Sequence, residues 1–211
     1  MRILEAAGMA FATHGFEGAS MNHILEQAGI SKGAAYYYFD DKADLFATVV
    51  SHYFQNMFEG GEALMASMTR EGFWDQLADV YRATMAQLGE KTWTLGLVRA
   101  VYRLPLEAKT LSGIKPLFDT AQRWLEQLVR RGRELGTIRR DLPEDLLLAW
   151  MTGLDVVMDR WMAENLTAID QGIIESVTAL SLDMLHRLFD PPAPGEEIDL
   201  GDLASRKEQD Q

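Results

Sequence analysis

The 211-residue chain has no cysteine. Disulfides, thiolate nucleophiles, cysteine-ligated zinc and thiol redox sensing are therefore excluded together. The four histidines, His14, His23, His52 and His186, are too dispersed in sequence to suggest a metal cluster. No apolar run approaches the ~18 residues of a membrane span. The opening MRILEAAG meets Glu5 before any long apolar stretch can build up, unlike a signal peptide. These absences predict a cytoplasmic protein. No repeat is visible, and no strand-like alternation persists long enough to form a sheet. The sequence also lacks H-E-x-x-H, Walker, dinucleotide-glycine and G-x-S-x-G motifs, so no catalytic residue, metal or cofactor is expected.

Basic charge is scarce too. The formal net charge is -12, which argues against broad nonspecific binding to nucleic acid or to anionic membrane. Residues 1–48 hold three basic side chains, Arg2, Lys32 and Lys42, against six acids. Residues 190–211 hold two basic side chains against seven acids. This tail opens with PPAPGEE and has almost no large apolar residues after it. It cannot bury enough surface to offset its ordering entropy, so disorder is expected there.

What remains reads as helix almost throughout. Ile3, Leu4, Ala7, Met9, Ala10 and Phe11 form the apolar side of a first helix that ends near His14 and Gly15. A second starts after the N-cap Ser20 and carries Met21, Ile24, Leu25 and Ala28 at i, i+3, i+4, i+7 before Gly29 ends it. Only Gly29, Ile30 and Ser31 separate it from a third, the short glycine-containing turn of a helix-turn-helix. On that third helix Ala35 and Phe39 face the core, Gly33 and Tyr37 lie on the opposite side, and Tyr36 and Tyr38 flank the stripe. The tyrosines could be semi-exposed packing residues. Within a helix-turn-helix, however, they become candidates for contact with DNA. Asp41 and Asp44 form a capping box for a fourth helix running towards Gly60 and Gly61.

The stretch FATHGFEGASMNHILEQAGISKGAAYYYFDDKADLF resembles the DNA-binding domain of the tetracycline-repressor (TetR/AcrR) family of bacterial regulators. The likeness covers residues 1 to about 48. It rests on G-F-x-G-x-S at 15–20, A-G-I-S-K-G at 28–33, Tyr36, Phe39 and Lys42-x-x-Leu45. It implies an all-α protein: an N-terminal three-helix helix-turn-helix domain (1–48), a helical effector-binding and dimerisation domain (49–189), and the acidic tail (190–211). By the same resemblance, the third helix enters the major groove. Ser31, Lys32, Gly33, Ala34, Tyr36 and Tyr37 then face bases or backbone, Tyr38 and Lys42 hold phosphates, and Ser20, Met21 and Asn22 add contacts from the second helix. Two departures stand out. The basic arm common before the first helix is not seen, and Ala34 occupies a position often held by threonine. Affinity is accordingly expected to be modest and its salt dependence shallow.

Beyond residue 48 periodicity carries the reading. It predicts helices over 73–88, 93–102 (stopping at Pro105), 117–135, 143–165 and 167–189, about nine in all. The last two are the most apolar. Gly153, Leu154, Val157, Trp161, Leu182 and Leu185 are expected at the interface of a homodimer. Trp74, Tyr81, Met85 and Trp93, with Tyr102, Phe118, Trp124 and Trp150, would suit an apolar effector cavity between helices. Arg99 and Arg103 could meet a carboxylate at its mouth or simply be solvated. Asp155 and Asp159, one turn apart, carry only a weak catalytic signal. The function expected is that of a sequence-specific transcriptional regulator, a repressor released from a palindromic DNA operator by a small, largely apolar effector. Two other readings stay open on the residues: a protein-interaction module with a degenerate helix-turn-helix, and an enzyme of unknown class.

Overall fold

The computed structural model describes residues 2–58, 60–104 and 109–199, the side chains of 109–111 excepted. Among these residues it contains ten α-helices, one 3₁₀ turn and no strand. The helices are α1 (Arg2–Gly18), α2 (Met21–Ala28), α3 (Lys32–Ala35), α4 (Lys42–Phe54), α5 (Gly61–Ser67), α6 (Phe73–Gly89), α7 (Thr94–Tyr102), α8 (Lys109–Leu135), α9 (Glu144–Asn165) and α10 (Gln171–Phe189). The expected fourth helix ends earlier, its last turn tightening to a 3₁₀ turn over Gln55–Phe58. The tenth helix, α5, was not expected from the periodicity. At seven residues it is too short to display a repeat, and it buries Met65 together with Gly61.

Local chemistry sets the helix ends. Gly15 takes φ 69°, which breaks α1 where the sequence placed its end, although an Ala19 N–H to Gly15 O bond carries the chain on. Ser20 caps α2, and Gly29 closes it in the left-handed conformation with its N–H on Glu26 O. The Ser31 hydroxyl accepts from Ala34 N at 3.2 Å. Asp41 accepts from Asp44 N at 2.9 Å, while Asp44 reaches back to Asp40 N rather than to Asp41. The last two helices start at Glu144, after Pro143, and at Gln171, where Asp170 caps Ile173 N. The stop expected at Pro105 lies outside the described residues.

Two apolar cores result. The first gathers Phe11, Ile24, Leu45, Phe46 and Val49 with Leu97 of α7, Ile114 of α8 and Met162 of α9. It therefore crosses the boundary expected at residue 48. Phe46 meets both Phe11 (4.9 Å) and Phe16 (5.4 Å) edge-on. The second core joins Phe73, Leu77, Leu128, Ile138, Leu147 and Phe189. Residues 190–199 do not behave as the expected disordered tail. The chain follows a described path back to the α8–α9 connection, where Ile198 N–H donates to Asp141 at 3.0 Å. Asp141 is half-buried with Arg139, whose guanidinium holds its carboxyl well below the usual carboxylate range. The rest of the tail, 200–211, lies outside the described residues.

Candidate DNA interface and effector domain

Helices α2 and α3 present the surface that the sequence singled out. Ala35 is buried, and Phe39 is half-buried against the first core. Tyr37 and Tyr38 remain 82% and 74% exposed, their rings edge-to-face at 5.0 Å. Tyr36 is exposed beside them, with Lys32 Nζ 5.8 Å from its ring centre. Ser20, Asn22, Ser31, Lys32, Gly33 and Ala34 are all exposed, while Met21 is half-buried and packs on the core. Nothing lies within 4 Å of where a Cβ on Gly33 would stand, so nothing within the chain itself requires glycine there. The third helix is shorter than expected: it ends at Ala35, and the three tyrosines stand in the turn that follows, where burial cannot justify their rings. They form a polar-tipped apolar ridge of the kind that meets base edges, thymine methyls and phosphates.

Lys42, expected at a phosphate, rests against its own chain. Its Nζ donates to Glu17 O at 3.2 Å and to Ala19 O at 3.3 Å, and it sits 4.7 Å over the Phe16 ring. Other cations likewise cap helix ends. Arg99 donates to Ala163 O at 2.6 Å near the end of α9, so it neither waits at a cavity mouth nor is merely solvated. Arg131 donates to Met68 O just after α5, and Arg140 to Arg133 O at the end of α8.

The aromatic set expected around one cavity is instead divided. Trp93 stands at the joint between the regions: its ring is 4.8 Å from Tyr53 of α4, and a Cβ on Gly8 of α1 would fall 2.6 Å from it. A Cβ on Gly96 of α7 would fall 2.7 Å from Ala12 O, so α1 and α7 are in backbone contact nearby. Trp74 packs on Phe73 and His186. Trp124 covers Gly61. Phe118 and Trp150 are exposed. Tyr81 and Tyr102 do converge, with Met85 buried on the same helix as Tyr81, and they converge on two acids. The Tyr81 hydroxyl donates to Asp155 at 2.9 Å, and Tyr102 donates to Asp159 at 3.1 Å. Helices α6 and α7 are thus both tied to α9.

Burial pushes the Asp155 carboxyl up to about 6. It pushes Asp159 to about 7, helped by repulsion from Asp155. Both tyrosine hydroxyls are raised for the same reason. No Lys or Arg pairs with either aspartate among the described residues; Arg160 lies 5.8 Å from the Tyr102 ring instead. A sequence cue existed, since both acids interrupt an otherwise apolar run from Leu154 to Met158 and its continuation. Two clefts, of about 460 and 290 Å³, lie against α1–α2 and α5–α8, and neither is lined by this cluster.

On α9 and α10, Val157 is 67% and Trp161 51% exposed, and Val156, Trp150 and Leu180 are exposed with them. Gly153 is open. Leu154 and Leu182 are half-buried on the second core. Leu185 departs from the interface expectation: it is only 3% exposed because its own chain covers it.

A short glycine turn between two capped helices, with an exposed aromatic ridge just after the second, defines a helix-turn-helix transcriptional regulator. Residues 3–49 match the family of bacterial regulatory proteins, tetR family. It is 28% identical over 188 residues to the HTH-type transcriptional repressor AcnR of Corynebacterium diphtheriae, covering 84% of this chain and 86% of that one. The fold is shared with SmeT, the repressor of the Stenotrophomonas maltophilia multidrug efflux pump SmeDEF (TM-score 0.71, 19% identity, 94% and 95% of the two chains). It is shared equally with the transcriptional regulator FadR of Bacillus subtilis, solved in complex with stearoyl-CoA (TM-score 0.71, 20% identity, 86% and 97%). The relatives are regulators, so the enzyme reading and the bare interaction-module reading give way. Among the described residues no helix is long and apolar enough to cross a membrane.

Proposed function

We propose that this protein is a cytoplasmic, homodimeric repressor that binds a palindromic operator and is released by a small, largely apolar effector. The observation that carries the reading is the tyrosine ridge in the turn just after α3, exposed beside an open Gly33 and served by capped helix starts. Residues 1–48 read DNA, with Tyr36, Tyr37, Lys32 and Ala34 towards bases or backbone and Tyr38 towards phosphate. Residues 49–189 sense and pair. The exposed apolar strip of Val157 and Trp161 on α9, with Leu180 on α10, is what a second copy covers. A dimer reads two half-sites at a separation fixed by the duplex repeat, so a displacement of α4 or α7 misplaces both recognition helices.

An effector acting where α6, α7 and α9 meet has to open the packing of Tyr81, Met85 and Tyr102, which line neither cleft. Support for a small-molecule ligand comes from the FadR relative, whose structure holds stearoyl-CoA. Weakening operator binding a hundredfold requires a preference of ~2.7 kcal/mol for the released state, and linkage imposes the same factor on the ligand. The test is to recover a duplex by selection from a randomised pool, then to titrate apolar compounds with and without it while following tryptophan fluorescence. A palindromic duplex is expected, together with at least one compound that binds more weakly when the duplex is present. Absence of any selected duplex would end the repressor reading.

A further inference from the structure

We infer that residues 190–199 form a strap that closes the open end of the α9–α10 pair, with Asp141 as the positioning residue on which it fastens. The face that these two helices offer to a second copy is thereby set from behind. The inference rests on the homodimer reading above.

The short connection 166–170 joins the end of α9 to the start of α10. At the far ends, the Arg139 N–H donates to Phe189 O at 2.8 Å, so the last residue of α10 meets the turn that leads into α9. Between those ends the two helices have different main partners: α10 packs chiefly on α6, and α9 on α7 and α8. Their relative placing therefore draws on how their ends are tied. One end is tied by the chain itself. The other is tied by hydrogen bonds at Asp141.

Three donors converge on that carboxylate. The Arg139 guanidinium donates through Nε at 2.8 Å and through a second nitrogen, and the Ile198 N–H donates at 3.0 Å. Bonds to an ionised acceptor are about twice as strong as neutral ones. The strap is shaped to return there. The Glu196 N–H donates to Ala193 O at 2.9 Å, and Gly195 takes φ 87° with its N–H on the Glu197 carboxylate. Apolar burial does not hold the strap down, because Ile198 is 46% exposed. What Ile198 contributes is its backbone donor. Ile138 and Leu142, on either side of the Arg139–Asp141 pair, are buried in the second core with Leu147 of α9 and Phe189 of α10. A shift of Asp141 is thus passed to the first turn of α9.

A backbone donor can be removed without touching the side-chain network, since proline has no N–H. Ile198→Pro deletes the bond to Asp141, whereas Ile198→Ala keeps it and shortens only an exposed side chain. In the full chain, Ile198→Pro is expected to raise the dimer dissociation constant in sedimentation at least tenfold, with unchanged helix content by circular dichroism. It should also speed exchange of the Arg139 amide at least tenfold. The Asp141 carboxyl, held down first by Arg139 and further by the Ile198 N–H, should titrate higher in this variant. Ile198→Ala is expected to match the parent in all three. A parent-like dissociation constant, Arg139 exchange rate or Asp141 titration in Ile198→Pro, or an equal loss in Ile198→Ala, would each overturn the inference. Exchange and titration need no second copy, so a parent that never dimerises ends the homodimer reading without being mistaken for a failed strap.

Discussion

Tyr37 is the residue at which the DNA-binding surface is most exposed to test. Its ring touches little but Tyr38, so Tyr37→Ala should leave the melting temperature near the parent's value while costing about 1–3 kcal/mol of operator affinity and relaxing base preference. Gly33→Ala should also fold normally, because its Cβ meets open space, and any loss of binding would report crowding against the duplex alone. A quantitative binding titration on selected and scrambled duplexes checks both. The aspartate pair makes a different prediction. Its carboxyls titrate near 6 and 7 in the folded chain, against about 4 in an unfolded one. The folded state therefore binds more protons across that window, and stability falls as pH rises from about 4 to 7. The fall should reach a few kcal/mol, since each tenfold change in proton affinity is worth about 1.4 kcal/mol. Asn at both positions keeps an acceptor for each tyrosine and should flatten the profile in urea melts taken across pH.

At the scale of elements, α9 has three tasks. One side meets α6 and α7 through the tyrosine–aspartate bonds, a second fills the core with Leu147, Met151 and Met162, and a third carries Val157 and Trp161 into solvent. Trp161→Glu should turn a dimer into a monomer in sedimentation at micromolar concentration without large loss of helix, because that ring is not needed by its own chain. Leu185→Glu, by contrast, should destabilise the fold, because Leu185 belongs to the second core. The existence and order of the long helices were legible from spacing alone, as were the caps at Ser20, Gly29, Ser31 and Asp41. The short α5 was not, since seven residues cannot show a period.

For the whole molecule, the charge count limits how strongly it can grip DNA. Residues 2–48 of one chain hold three Lys and Arg side chains, Arg2, Lys32 and Lys42. In the proposed dimer these six cations, at about 0.9 each, give residues 2–48 a salt slope no steeper than roughly −5. Measuring operator affinity over a range of potassium chloride concentrations checks this, and a much steeper slope would mean that cations beyond residue 48 reach the duplex. A net charge of -12 should also keep nonspecific binding weak.

The sequence by itself determined the local matters: a helical chain, a helix-turn-helix at 21–35, an outward Tyr37, and a second region rich in aromatic residues. Each depends on neighbours within a turn or two, where spacing and capping act directly. Only the tertiary structure decided which side chains meet across long separations. It sent Trp93 to the joint with Gly8, set Tyr102 on Asp159, covered Leu185, and turned Lys42 inward onto two carbonyls. Backbone acceptors are the same at every position, and a glycine that admits a tryptophan looks like any other glycine. Contacts of that kind have no signature until the helices are packed.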